Sequence, residues 1–93
     1  MFFYVYVLQS QKYPEEFYYG YTGDLQRRIK EHNQKKNFST KRYQPWKLVY
    51  YEACLSEQDA IRREEHLKTS QGSRMLKRRI KDYLDLVYKN FSS

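Results

Sequence analysis

Ninety-three residues, 40% of them hydrophobic, suffice for one small core, and no Gly-, Pro- or Ser-rich linker marks off a second domain. The net charge of +7 points to an anionic partner, nucleic acid first, while the basic stretches lack the broad Trp/Phe/Leu face that a membrane-surface helix needs. The lone Cys54 excludes an internal disulfide and a zinc cluster, and the absence of a signal peptide or spanning run leads us to expect a cytoplasmic protein.

Phe2 to Gln9 is rich in aromatic and β-branched residues and reads as a strand. Alternation puts Tyr4, Tyr6 and Leu8 on one face and Phe3, Val5 and Val7 on the other, so both faces should be at least partly covered. Ser10 to Glu16, polar and containing Pro14, is the expected loop of an antiparallel hairpin whose second strand runs from about Phe17 to Tyr21. Gly20 is expected to serve a structural turn that leads towards the first helix. Asp24 is a good N-cap for that helix, because its carboxylate can accept bonds from the free N–H groups of the first turn. The helix should span Leu25 to Lys35, with Leu25, Ile29 and His32 recurring on one side and Arg28 between them.

Lys36 to Pro45 reads as a polar, basic loop, and Lys35, Lys36, Ser39, Thr40, Lys41 and Arg42 are its candidate nucleic-acid-binding residues. Trp46 to Cys54 is a third strand, with Trp46, Leu48 and Tyr50 expected on one face and Val49, Tyr51 and Ala53 on the other. Ser56 and Asp59 resemble a capping arrangement for a second helix reaching about Thr69. Glu64 falls in the middle of its Ala60 to Leu67 stripe, where a carboxylate needs a nearby cation or must become neutral. A break at Gly72 should precede a third helix carrying Leu76, Ile80, Tyr83, Leu84 and Val87 inward.

Two strand tyrosines, an arginine followed one turn later by a histidine, and an inward-leaning glutamate are the parts of a phosphodiester hydrolase using one divalent cation. A hard cation such as Mg²⁺ takes oxygen ligands and keeps waters, so one carboxylate plus the substrate phosphate can hold it. The bland reading of the same residues is a structural ion pair between Arg28 and Glu64 beneath ordinary core tyrosines.

At these residues the chain resembles the GIY-YIG nuclease superfamily, in particular its small single-domain members related to the catalytic module of UvrC and of certain homing endonucleases. Tyr4-Val5-Tyr6 corresponds to the first signature and Tyr18-Tyr19-Gly20 to the second, followed by Thr22, Leu25, Arg28 and His32. Ala60 through Arg63-Glu64-Glu65-His66-Leu67-Lys68 resembles the family's glutamate-bearing helix. The resemblance implies an α+β fold with a three-stranded antiparallel sheet flanked by helices, in the order β-β-α-β-α-α. It further implies an endonuclease dependent on Mg²⁺ or Mn²⁺. In that scheme Tyr6 is the general base or water-positioning group and Tyr18 stands near the scissile phosphate. Arg28 stabilises the transition state, His32 assists, and Glu64 is both catalytic and the metal ligand.

Tyr4 replaces the first signature glycine and Tyr19 the branched aliphatic residue of the second, neither of them a reacting group. The late asparagine of some relatives has no clear match, since Asn90 is too distal. The expected substrate is DNA, recognised by shape or with weak sequence selectivity in repair or recombination, by a monomer or homodimer that can work with a targeting partner. The alternatives are a binding module that keeps the fold without cleaving, and an RNA-binding α/β domain, although the latter's interleaved Gly, Phe and basic strand signature is missing.

Overall fold

The computed structural model describes residues 1–34 and 38–92, with the side chains of residues 38, 39 and 92 left aside. Strands β1 (Phe3–Ser10), β2 (Phe17–Thr22) and β3 (Trp46–Cys54) form one sheet in the order β2-β1-β3, antiparallel throughout. Among the described residues four helices flank it: α1 (Leu25–Asn33), α2 (Glu57–Leu67), α3 (Ser70–Arg79) and α4 (Lys81–Ser92). A 3-10 segment, Phe38–Tyr43, connects α1 towards β3. The expected order of elements is met, with four helices where three were anticipated.

As the central strand, β1 is covered on both sides, and Val5 through Ser10 are all buried. Val5 and Val7 pack with Ala60, Leu67 and Leu76 from α2 and α3. On the opposite face Tyr6 and Leu8 pack with Trp46, joined by Tyr18, Leu25 and Ile29. A period-two strand with apolar residues at successive positions from Phe3 to Leu8 produces this double burial.

Three local expectations are corrected. The helix break lies at Lys68 and Thr69, not at Gly72, which is inside α3. Thr69 is the N-cap and its hydroxyl accepts from the Gly72 N–H at 3.0 Å. The glycine is there for space, because a Cβ on Gly72 would stand 1.9 Å from the His66 carbonyl oxygen. The last helix is divided at Ile80, whose backbone (φ −110°, ψ 29°) leaves the helical region. The chain then turns so that Leu84 is buried and the Tyr83 hydroxyl donates to the buried Gln9 side chain at 2.7 Å. Ser56 occupies the N-cap position of α2 but makes no side-chain cap bond, and Asp59 pairs with Arg62 instead.

In β3 the strict alternation fails. Val7 pairs with Tyr50 but Leu8 pairs with Leu48, a β-bulge that leaves Val49 as the extra residue. Beyond the bulge the faces exchange, so Tyr50 joins Val49 on the aliphatic side while Tyr51 lies opposite Tyr6. Tyr50 therefore does not share a face with Trp46 and Leu48.

Candidate active site

Tyr6 and Gly20 are direct cross-strand partners. A Cβ on Gly20 would meet the Tyr6 hydroxyl at 2.5 Å and its ring carbon Cζ at 2.6 Å, so only glycine lets the phenol cross over β2. Gly20 thus belongs to the strand rather than to the anticipated turn; its backbone has no positive φ. Tyr18, two residues earlier on the same face, stacks against the Tyr6 ring with centroids 6.2 Å apart.

Helix α1 closes over these rings. Asp24 caps it as expected, accepting from the Arg27 N–H at 3.2 Å, and the hydroxyl of Thr22 accepts from the Asp24 N–H at 3.1 Å. At the other end Asn33 clamps the helix to β3, donating to the Trp46 carbonyl at 2.9 Å and accepting from the Trp46 N–H at 2.6 Å. The Gln44 amide donates to the His32 carbonyl. His32 is thereby held in the interior at 0% exposure, its ring 4.5 Å from that of Tyr18.

The His32 imidazole uses both nitrogens. Nε2 lies 3.1 Å from the Tyr6 hydroxyl and Nδ1 lies 3.1 Å from Thr40 Oγ1. Burial, reinforced by the Arg28 charge, lowers the His32 pKa, so the ring is neutral at pH 7. A neutral imidazole has one donor and one acceptor. In the tautomer whose Nδ1–H donates to Thr40, Nε2 is left to accept the Tyr6 proton.

Tyr6 itself is fully buried, and burial pushes its pKa up to about 12 even though a hydrogen bond from Arg28 pulls the other way. Roughly one molecule in 10⁵ would carry the phenolate at pH 7. Arg28 bridges the buried and wet sides of the site, with its side chain 44% exposed. Its guanidinium interacts with Tyr6, which raises its own pKa, and donates to Glu31 at 3.3 Å.

Glu64 does not pair with Arg28, contrary to the bland expectation. Its carboxylate is 3.0 Å from the Lys68 ammonium and only 16% exposed, and it is near enough for its charge to raise the Tyr6 pKa slightly. Lys68 is the cation that a carboxylate in this stripe requires. Among the described residues no three His, Cys, Asp or Glu side chains converge. Glu64 accordingly suits a cation that takes a single protein carboxylate and draws its other oxygens from phosphate and water, as Mg²⁺ and Mn²⁺ do. Another ion pair on α2 joins it to β3: Arg63 grips Glu52 through Nε and Nη2, at 2.8 to 3.1 Å, while the Tyr50 hydroxyl donates to the same carboxylate at 3.0 Å.

Of the expected nucleic-acid-binding residues, Lys35 and Lys36 lie outside the described residues, as does the Ser39 side chain. Lys41 and Arg42 are exposed on the 3-10 segment, Arg42 lying over the Tyr43 ring. Thr40 is different: at 3% exposure it points inward, to His32, and is unavailable to phosphate. Sequence reasoning missed this inner role because a hydroxyl eight residues from His32 in a polar stretch carries no periodic signal. The small glycine opposite Tyr6, by contrast, could have been found by pairing the two hairpin strands.

Comparison with known proteins identifies the family and the fold. A family model described as the GIY-YIG catalytic domain matches residues 2–78. A UPF0213 protein of Staphylococcus haemolyticus is 37% identical over 75 residues, covering 80% of this chain and 89% of that protein. Another from Streptococcus agalactiae is 41% identical over 66 residues, covering 70% and 73%. The solution NMR structure of a UPF0213 protein from Bacillus halodurans superposes with a TM-score of 0.51 at 34% identity, covering 82% of each chain.

Proposed function

Because the chain belongs to the GIY-YIG nuclease family, we propose that it is a metal-dependent endonuclease hydrolysing DNA phosphodiester bonds, with Tyr6, Tyr18, Arg28, His32 and Glu64 as its working residues. The observation that carries this reading is the contact of a buried Tyr6 hydroxyl with a neutral His32, 3.1 Å away, beside the half-exposed Arg28.

With a pKa of about 12, Tyr6 is a poor standing base. It serves instead as a relay: its oxygen accepts a proton from the attacking water while its own proton passes to His32 Nε2. Thr40 keeps His32 in the tautomer with Nε2 free. Arg28 neutralises charge on the pentacovalent phosphorus, and Tyr18 positions the phosphate from the same sheet face. Glu64 is the residue that would hold a divalent cation, Mg²⁺ or Mn²⁺, whose chemistry here is to ease deprotonation of water and offset phosphate charge. Lys41 and Arg42 contact phosphates, so binding is shape-dependent or weakly sequence-selective and weakens with salt. DNA repair or recombination is the proposed setting, with the protein acting as a monomer or homodimer.

A second reading, a module that binds nucleic acid without cleaving it, draws on the Glu64–Lys68 ion pair, which competes with a cation for the same carboxylate. One experiment separates the two. Labelled linear duplex, single-stranded, flap and four-way-junction DNA are incubated with Mg²⁺, Mn²⁺ or chelator, using wild type and Glu64→Ala. Metal-dependent cleavage lost in the variant is the expected result. Intact binding with no cleavage in either protein would replace the enzyme by the binding module.

A further inference from the structure

A cavity of about 720 Å³ opens between the β1–β2 loop, the 3-10 segment and the end of α4. It shares no lining residue with the Tyr6, Arg28, His32 and Glu64 cluster. Tyr13, Tyr43, Tyr88 and Phe91 supply its aromatic lining, and Tyr13 and Phe91 are 46% and 62% exposed. Tyr13 and Tyr43 meet edge to face, with centroids 5.9 Å apart at 82°. Each ring carries a cation: Lys12 Nζ lies 5.5 Å from the Tyr13 centroid, and the Arg42 guanidinium carbon 5.0 Å from that of Tyr43.

Two buried polar side chains that the nuclease chemistry does not use hold the backbone of residues lining this cavity. Ser10, 1% exposed, donates to the Tyr43 carbonyl at 2.6 Å and accepts from the Tyr13 N–H at 2.9 Å. Gln9, 2% exposed, donates to the Pro14 carbonyl at 2.7 Å and accepts from Tyr83 of α4. Placing polar groups inside β1 is costly unless every bond is made. Here those bonds tie the backbones of Tyr13, Pro14 and Tyr43 to β1, so the two segments that carry the rings are held together before any ligand arrives.

We propose that this cavity binds one unpaired nucleobase of a DNA strand, with the adjoining phosphates on Lys12 and Arg42. A nucleotide combines a flat π-face and an anion in a single unit, which is what a ring with a cation over it complements. An apolar peptide side chain would cover the rings without engaging either cation. Glu15 and Glu16, which also line the cavity, repel phosphate but accept hydrogen bonds from exocyclic amines, so the base lies on their side and the backbone on the basic side. A succession of ring contacts, Tyr43 to Trp46 at 5.9 Å, Trp46 to Tyr18 at 6.3 Å and Tyr18 to His32 at 4.5 Å, links the cavity to the candidate active site. A captured base would hold the same strand a few nucleotides from the bond to be cut. The proposal takes DNA as ligand from the reading above but does not depend on cleavage.

The test is equilibrium binding in chelator, by fluorescence anisotropy, to three duplexes of one sequence: fully paired, with a single unpaired cytosine, and with an abasic unit in place of that cytosine. Wild type should bind the unpaired cytosine about tenfold more tightly than the abasic control. Tyr13→Ala should erase that ratio, Phe91→Ala should reduce it, and Tyr13→Phe should retain it, with thermal unfolding confirming that each variant is folded. Equal affinity of wild type for the cytosine and abasic duplexes, or an undiminished ratio in both Tyr13→Ala and Phe91→Ala, would overturn the proposal. Since no metal is present, failure of the nuclease reading leaves these outcomes unaffected.

Discussion

The two faces of the sheet are built from the same strand and differ in chemistry. One side of β1 presents Val5 and Val7 to Ala60, Leu67 and Leu76, an aliphatic layer whose cohesion comes from area removed from water. The other presents Tyr6 and Leu8 to Trp46, Tyr18 and His32, an aromatic layer in which buried polar atoms find partners. Burial alone serves the first face. The second uses burial to alter titration, raising the Tyr6 pKa and lowering that of His32. Helices α2 and α3 on one side and α1 on the other let a small chain separate stability from chemistry.

The sharpest way to break this division is a crossed pair of substitutions. Leu67→Ala should cost about 2–5 kcal/mol of unfolding free energy, read by urea denaturation, while cleavage measured well below the transition is little changed. Arg28→Ala should do the reverse, lowering the cleavage rate by about 10²–10³ while unfolding shifts by less than about 1 kcal/mol. If both variants lost stability and activity in equal measure, the faces would not be separable.

Gly20→Ala tests the contact that unites β2 with the site. Its methyl would displace the Tyr6 phenol, costing about 1–3 kcal/mol in stability and reducing cleavage as well, because the hydroxyl leaves His32. Unchanged denaturation and activity would show that the phenol needs no such space.

Thr40→Val keeps the shape and removes the hydroxyl, leaving His32 Nδ1 without that partner. A loss of about 1–3 kcal/mol is expected, with an activity profile displaced along the pH axis as the imidazole changes tautomer preference.

The smallest effect is on pH dependence. The His32 pKa is lowered in the folded state, so the folded protein binds fewer protons than the unfolded chain below the ordinary histidine value of about 6.5. Its contribution is fully present above that pH and is lost as pH falls towards the folded-state pKa. Urea midpoints for wild type should therefore decline on acidification from pH 7.5, and His32→Gln should flatten the decline. An identical slope in the variant would remove His32 as its source.

Much of this arrangement was legible in the chain. Tyr6, Tyr18, Arg28, His32 and Glu64 were singled out from spacing and resemblance, and the first four meet or stack in the structure while Glu64 stands within electrostatic reach of Tyr6. The roles assigned to them remain proposals for the cleavage assay. Less legible were Thr40, expected at the surface, and Tyr50, assigned to the face of Trp46.

What the sequence determined by itself is whatever depends on neighbours along the chain: the order of strands and helices, the Asp24 cap, and the apolar alternation of β1 that demands cover on both faces. Only the tertiary structure decided the bulge at Val49, the passage of the Tyr6 phenol over Gly20, the start of α3 at Ser70 and the inward turn of Thr40. The physical reason is that each of these settles a contest for space or hydrogen bonds between segments remote in sequence. Periodicity records which side of an element is apolar, but not what will stand against it.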